Sequence, residues 1–274
     1  MYYLLRLTGF VLGNIPRKAG YFLVSLISKI FFFFSGEKKT VLKKNLSIVL
    51  GREPENSLLK TVYKNYALYY IDLFVRPEKI IKYVDGSKIN PAIDVMAKQL
   101  EKTGILFLSS HLGSWDFVCS YLSSKIPGKV NVVVEKLSPP VYKWFTETRQ
   151  RLGMKVIETS DIKAMMRALK NREILLLAAD RDLDKKGLVI DFFGKRAHLP
   201  SGPAKLALKE NVPVFFGTPY RDASNPMKMR PVILEEPVWP SDFGHGKEAV
   251  LELSKKIVFL IENAISRAPE QWCM

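Results

Sequence analysis

Two hydrophobic periods divide the chain. From Glu37 to about Tyr83 apolar residues recur at helical spacing, and beyond Pro91 short apolar runs alternate with helical stretches. The runs ILFLS (105–109), VNVVV (130–134), KVIE (155–158), EILLLAA (173–179), VPVFFG (212–217) and PVILE (231–235) read as strands. Helices fall between them near 114–124, 139–152, 161–170 and 201–210, and a last amphipathic one covers 246–267. Strands alternating with helices predict an α/β fold, an open, mostly parallel sheet covered by helices. Upstream, Pro54 and Asn56 open a helix over NSLLKTVYKNYALYYIDLFV, and Pro77 begins another short one.

The first 36 residues follow neither pattern cleanly. MYYLLRLTGFVLGNIP is apolar but interrupted by Arg6 and Pro16, and AGYFLVSLISKIFFFFSG carries one charge, Lys29. Its apolar stretch, about 17 residues, stands at the low limit for a bilayer span. It lies too late in the chain, and lacks the small-residue cleavage site, for a signal peptide. A buried hairpin of two core helices is one reading. The other is an N-terminal membrane-associating helical extension, because Phe31 to Phe34 cover all sides of a helix and Lys38, Lys39, Lys43 and Lys44 follow at once. The second reading divides the chain into membrane-associating helices over 1–36 and an α/β domain over 37–274. It favours peripheral or monotopic attachment to an anionic membrane surface.

Length and charge refine this picture. A chain of 274 residues can bury a sizeable core. Its 42 Lys and Arg against 27 Asp and Glu give a net charge of +15, which attracts nucleic acid, anionic lipid or an acidic protein. A basic nucleic-acid-binding protein is the rival from another class. The basic residues are dispersed, however, and no zinc-finger, RRM or P-loop pattern is present, so no nucleic-acid partner is expected. Cys119 and Cys273 form neither a disulfide framework nor a metal-ligand spacing, and Cys119 reads as a core residue. The cytoplasmic side is the expected compartment.

Candidate chemistry gathers after the strands, because ligands of open α/β sheets bind beyond their carboxyl ends. In ILFLSSHLGSWDF, His111 lies just past a strand, Gly113 permits a bend, Ser114 is a candidate N-cap and Asp116 falls in the first helical turn. Folded back, Asp116 would hold one imidazole nitrogen and leave the other free to accept a proton. The alternative is an N-terminal helix acid beside an unrelated loop histidine. Asp180, Arg181 and Asp182 follow the buried strand EILLLAA, so the same rule places them on the same edge as His111. A buried Asp180 needs a partner, and Arg181 and Arg149 lead. Arg149 and Arg151 precede the turn at Gly153; they suit phosphate or a solvated helix face equally. His198 can line the site, and His245 sits in a loop. A lipid-directed serine hydrolase is the rival enzyme, but its G-x-S-x-G elbow is absent.

These residues resemble the bacterial lysophospholipid and lipid A acyltransferase family, whose H-x4-D signature stands here as HLGSWD, His111 to Asp116. A bare H-x4-D recurs by chance, and the surrounding blocks carry the resemblance. ETRQRLGMKVI is similar to the family's Arg-containing block, and AADRDLDKKGLVIDFFGKRAHLPSGPAKLAL is similar to that of the phosphatidylinositol-mannoside acyltransferases, over a stretch of likeness from about residue 20 to 235. Asp180-Arg181 stands where lipid A enzymes carry Asp-Gln, which leans toward the mannoside branch. The resemblance implies direct acyl transfer from acyl-CoA or acyl-ACP to a lipid or glycolipid hydroxyl at the cytoplasmic face of the inner membrane. It implies His111 and Asp116 as the catalytic pair, Arg149 on phosphate, and Asp180 with Arg181 completing the site. Acyl carrier protein is a candidate partner of the basic surface. No metal and no tightly bound cofactor are called for. An apolar channel, with Phe107, Trp115, Phe192 and Phe193 as candidate lining, would take the acyl chain. Amides of the Gly113–Asp116 turn are candidate oxyanion donors.

Overall fold

The computed structural model describes residues 1–182, 185–234 and 236–274. Glu235, the last residue of the sixth predicted strand, and Leu183 and Asp184 of the DRDLDKK block lie outside them. Four longer helices come first, α1 (Tyr2–Asn14), α2 (Arg17–Phe34), α3 (Gly36–Leu50) and α4 (Asn56–Asp72), followed by the single turn α5 (Pro77–Ile80) and α6 (Asn90–Leu100). The alternating part then runs β1 (Ile105–Ser109), α7 (Trp115–Lys125), β2 (Val130–Val134), α8 (Pro139–Arg151), β3 (Lys155–Glu158), α9 (Ile162–Lys170) and β4 (Ile174–Ala178). A hairpin of β5 (Leu188–Phe192) and β6 (Lys195–Leu199) precedes α10 (Gly202–Glu210), β7 (Val214–Arg221), β8 (Met229–Ile233) and α11 (Gly246–Arg267).

Six strands form one open sheet in the order β3-β2-β4-β1-β7-β8. The first five run parallel, and β8 closes one edge antiparallel to β7. The strand period of two sends alternate residues of β1 to opposite faces. Leu106 and Leu108 meet Leu175, Val214 and Phe216 beneath α9, α10 and α11. Ile105 and Phe107 join Ile174, Leu176 and Phe215 on the side of α6 and α7. Both faces are dry, which is why the central strands read as unbroken apolar runs. Cys119 is buried in that second layer, a core residue as expected, and burial pushes its thiol pKa up.

The N-terminal helices differ from a buried hairpin. α1 buries none of its residues. α2 docks Tyr21 and Val24 against Leu68 and Ile71 of α4, while Phe22, Phe31, Phe33 and Phe34 stay exposed. Among the described residues no single helix is long and apolar enough to cross a membrane. α2 and α3 meet the length and composition test only together, bent by 95°.

Candidate active site

His111 stands two residues beyond β1, and Asp180 two residues beyond β4. These strands are parallel neighbours whose register pairs Ser109 with Ala178, so both side chains leave the sheet at the same level. The Asp180 carboxylate grips the histidine twice: Oδ1 meets ring Nδ1 at 2.8 Å and Oδ2 accepts the backbone N–H of His111 at 2.9 Å. Trp272 Nε1 donates to the same Oδ2 at 3.0 Å. An ionised carboxylate only accepts, so Nδ1 carries the proton and Nε2 keeps its lone pair. Burial opposes charge on the ring, but the Asp180 charge and hydrogen bond outweigh it and raise the His111 pKa. Burial likewise pushes the Asp180 carboxyl up, and His111 with the Trp272 and backbone donors brings it below the usual carboxylate range.

This corrects the expected pairing: the acid on the ring is Asp180, not Asp116. Asp116 is fully buried in the first turn of α7, where it accepts Arg149 Nε at 2.7 Å, Arg149 Nη2 at 3.1 Å and the Tyr69 hydroxyl at 2.5 Å. Tyr69 stacks on Trp115, and Trp115 meets His111 edge-on, so two aromatic rings link Asp116 to the histidine, and the Asp116 charge adds a lesser push to the raised His111 pKa. Arg149 is bound bidentately to that acid and does not line the cleft in front of His111. Neither arginine expected to neutralise Asp180 does so. Arg181 reaches outward to Glu135 at 3.3 Å, and the partners of Asp180 are His111 and Trp272.

The loop between β1 and α7 is locked from both ends. Gly113 takes φ +63°, and a Cβ there would stand 2.0 Å from the Pro219 carbonyl oxygen, so only glycine fits. Its amide donates to the Gln271 carbonyl at 3.0 Å and is therefore committed, contrary to the oxyanion role expected of it. Ser114 holds the N-cap position, yet its hydroxyl does not cap. It donates to the buried Asp72 carboxylate and accepts from Arg221 Nη2 at 2.6 Å. A serine so held, away from the histidine, is not arranged as a nucleophile.

Two sets of residues were missed from sequence. The tail after α11 closes over the loop, with Cys273 N–H donating to the His111 carbonyl at 3.1 Å and Leu112 bridging Trp272. Nothing in PEQWCM signals a site, because the contact depends on where α11 ends. The cluster of Asp72, Arg17, Tyr21 and Arg221 was also missed, although Arg221 is a charged residue at the very end of the buried strand β7.

A cleft of about 500 Å3 opens in front of His111 between α9, β4 and α10. Met165, Met166, Leu177 and Leu206 line it with apolar surface, while Arg181, Lys186, Lys205 and Lys209 are its basic residues. The aromatic lining expected from sequence is not found here. Phe107 and Trp115 border a separate pocket of about 20 Å3, and Phe192 packs against Trp272. His198, on β6, does not line the cleft. Among the described residues no group of three or more His, Cys, Asp or Glu stands where a metal could be held.

The family described as bacterial lipid A biosynthesis acyltransferase matches residues 1–274. A phosphatidylinositol mannoside acyltransferase of Mycolicibacterium smegmatis is 29% identical over 190 residues, 64% of this chain and 60% of its own length. One from Mycobacterium tuberculosis is 30% identical over 182 residues, 61% of this chain and 57% of its own. The aligned part thus spans about 60% of the length of these relatives. The chain belongs to the bacterial lipid A biosynthesis acyltransferase family.

Proposed function

We propose that this protein transfers a fatty acyl chain from an acyl thioester, acyl-CoA or acyl-ACP, to a hydroxyl of a membrane lipid or glycolipid. The observation that carries the reading is His111, held at Nδ1 by a buried carboxylate and facing an apolar cleft with basic residues. Nε2 takes the proton of the acceptor hydroxyl as its oxygen bonds to the thioester carbonyl carbon. The C–S bond of the resulting tetrahedral adduct then breaks, and the leaving thiolate receives the proton from the imidazolium. Asp180 fixes the tautomer and stabilises the imidazolium, while Asp116, through Arg149 and Tyr69, holds the wall against which Trp115 and His111 pack.

The apolar part of the cleft would take the acyl chain. Arg181, Lys186, Lys205 and Lys209, rather than Arg149, would face the phosphates of coenzyme A or of a pantetheine arm, or the acidic surface of acyl carrier protein. The exposed phenylalanines of α2, with the lysines that follow, support attachment to an anionic membrane surface; the cytoplasmic side and a peripheral or monotopic attachment belong to the same proposal. The relatives' names point to a glycolipid acceptor. Purified protein, radiolabelled acyl-CoA or acyl-ACP and a panel of lipid acceptors in vesicles form the test. Labelled acylated lipid is the expected product; release of free fatty acid alone, with every donor and acceptor, contradicts transfer.

A further inference from the structure

A second cavity, of about 350 Å3, opens where the turn between α1 and α2 meets the end of α4 and α5, and it shares no lining residue with the cleft before His111. Its wall carries Arg17, Arg76 and Lys79 and no acidic side chain. Arg76 and Lys79 are exposed, whereas the Arg17 side chain is only 9% exposed. Arg17 gives Nη2 to Asp72 and Tyr21, but its Nε and Nη1 are buried with no hydrogen-bond partner among the described residues. The one carboxylate of Asp72 also serves Arg221, so two guanidinium charges share a single buried negative charge. α2 begins at Arg17, and Pro16 at its N-cap position offers no side-chain acceptor, which leaves the positive end of the helix facing the same place.

The Arg17 guanidinium lies 3.9 Å from the Tyr83 ring centroid, and its surplus charge, the Nε and Nη1 donors without a hydrogen-bond partner among the described residues and the helix N-terminus together match an anion with several acceptor oxygens, which is the chemistry of phosphate. We propose that this cavity binds a phosphate group, and that a membrane phospholipid headgroup supplies it. The choice of source rests on the neighbouring surface. One to two turns back along α1 from the cavity, Leu7, Phe10 and Val11 are 60%, 71% and 49% exposed, apolar ground on which a lipid's chains can lie. The inference stands apart from acyl transfer, since none of these residues lines the catalytic cleft.

Arg17 itself is a poor probe, because its loss disturbs the Asp72 cluster. The exposed pair serves instead: the full chain carrying Arg76→Ala and Lys79→Ala, with Lys38→Ala and Lys44→Ala as a charge-matched control outside the cavity. Each protein, in neutral detergent, is titrated calorimetrically with inorganic phosphate and with dihexanoylphosphatidylglycerol below its micelle concentration. The cavity pair should weaken binding by about tenfold, as two charged contacts imply, and the control by less than about twofold. Tighter binding of the lipid than of inorganic phosphate identifies the headgroup as the source; equal or weaker lipid binding overturns that source and leaves a free-phosphate site. If the parent protein binds neither probe, or both variants weaken binding equally, or the cavity pair leaves it unchanged, the site itself is wrong.

Discussion

At the scale of single residues, what distinguishes His111 is its carboxylate partner. Asp180 is fully buried and gives both oxygens to the histidine's ring and backbone, so the ring has one orientation and one free nitrogen. Asp180→Asn keeps the shape and removes the charge. The raised His111 pKa should fall, and since the base works as the neutral imidazole, the acid limb of the kcat–pH profile should move to lower pH. Turnover on the plateau should drop by roughly 10²–10⁴-fold, because the imidazolium loses its counter-charge. An acid limb unmoved in Asp180→Asn would show that this carboxylate does not set the base. The histidine itself was legible in the sequence as a polar residue just after an apolar strand. The sheet rule put Asp180 on the same edge, but its direct pairing with the histidine was not legible, because α7, β2, α8, β3 and α9 separate β1 from β4 in the chain, and only the strand order makes them neighbours. Asp116 is nearer in sequence, yet the helix turns it toward Arg149 and Tyr69. Trp272 lies 92 residues from Asp180, beyond any local pattern.

Among the elements, the central strands and the helices between them follow the apolar text closely, since a strand dry on both faces admits few polar residues. The β5–β6 hairpin escaped notice. Its turn places Phe193 and Gly194 at φ 50° and 70°, the conformation of a tight primed turn, and the alternation of LVIDFFGKRAHL was the available signal. The docking of α2 was equally hidden, because the polar anchor beside its apolar contacts is a single acid within a tyrosine-rich helix. Asp72 accepts from Arg17, Tyr21, Ser114 and Arg221, and thereby ties α2, α4, β7 and the loop before α7 together. Burial pushes its carboxyl up, and the two arginines and the hydroxyl donors bring it below its ordinary range. The sign follows: this stabilisation is present above the ordinary carboxylate pKa and is lost as pH falls through the depressed folded value. Asp72→Asn leaves two buried guanidinium groups without a counter-charge and should cost about 3–5 kcal/mol. Urea unfolding in neutral detergent measures this; a loss below about 1 kcal/mol would mean the cluster does not hold the elements together.

On the scale of the whole molecule, net charge and apolar surface act together. The +15 charge was readable at once, but whether the first helices are core or surface was not, because both readings need apolar residues. The structure places Tyr21 and Val24 inward and leaves Phe31, Phe33 and Phe34 65%, 78% and 78% exposed. Changing those three phenylalanines to serine should weaken partition onto phosphatidylcholine–phosphatidylglycerol vesicles by at least about tenfold, given what each buried aromatic side chain contributes. Unchanged partition in a flotation assay would move the membrane contact elsewhere. The proposed transfer chemistry rests on one histidine, oriented by Asp180 and served by a cleft between α9 and α10. Its most direct test is turnover of radiolabelled acyl thioester onto vesicle-borne lipid by His111→Ala, beside the parent protein and with matched circular dichroism. If His111 is the base, turnover should fall by at least about a hundredfold, the usual contribution of a general base. Turnover within a few-fold of the parent, in a folded His111→Ala protein, would contradict it.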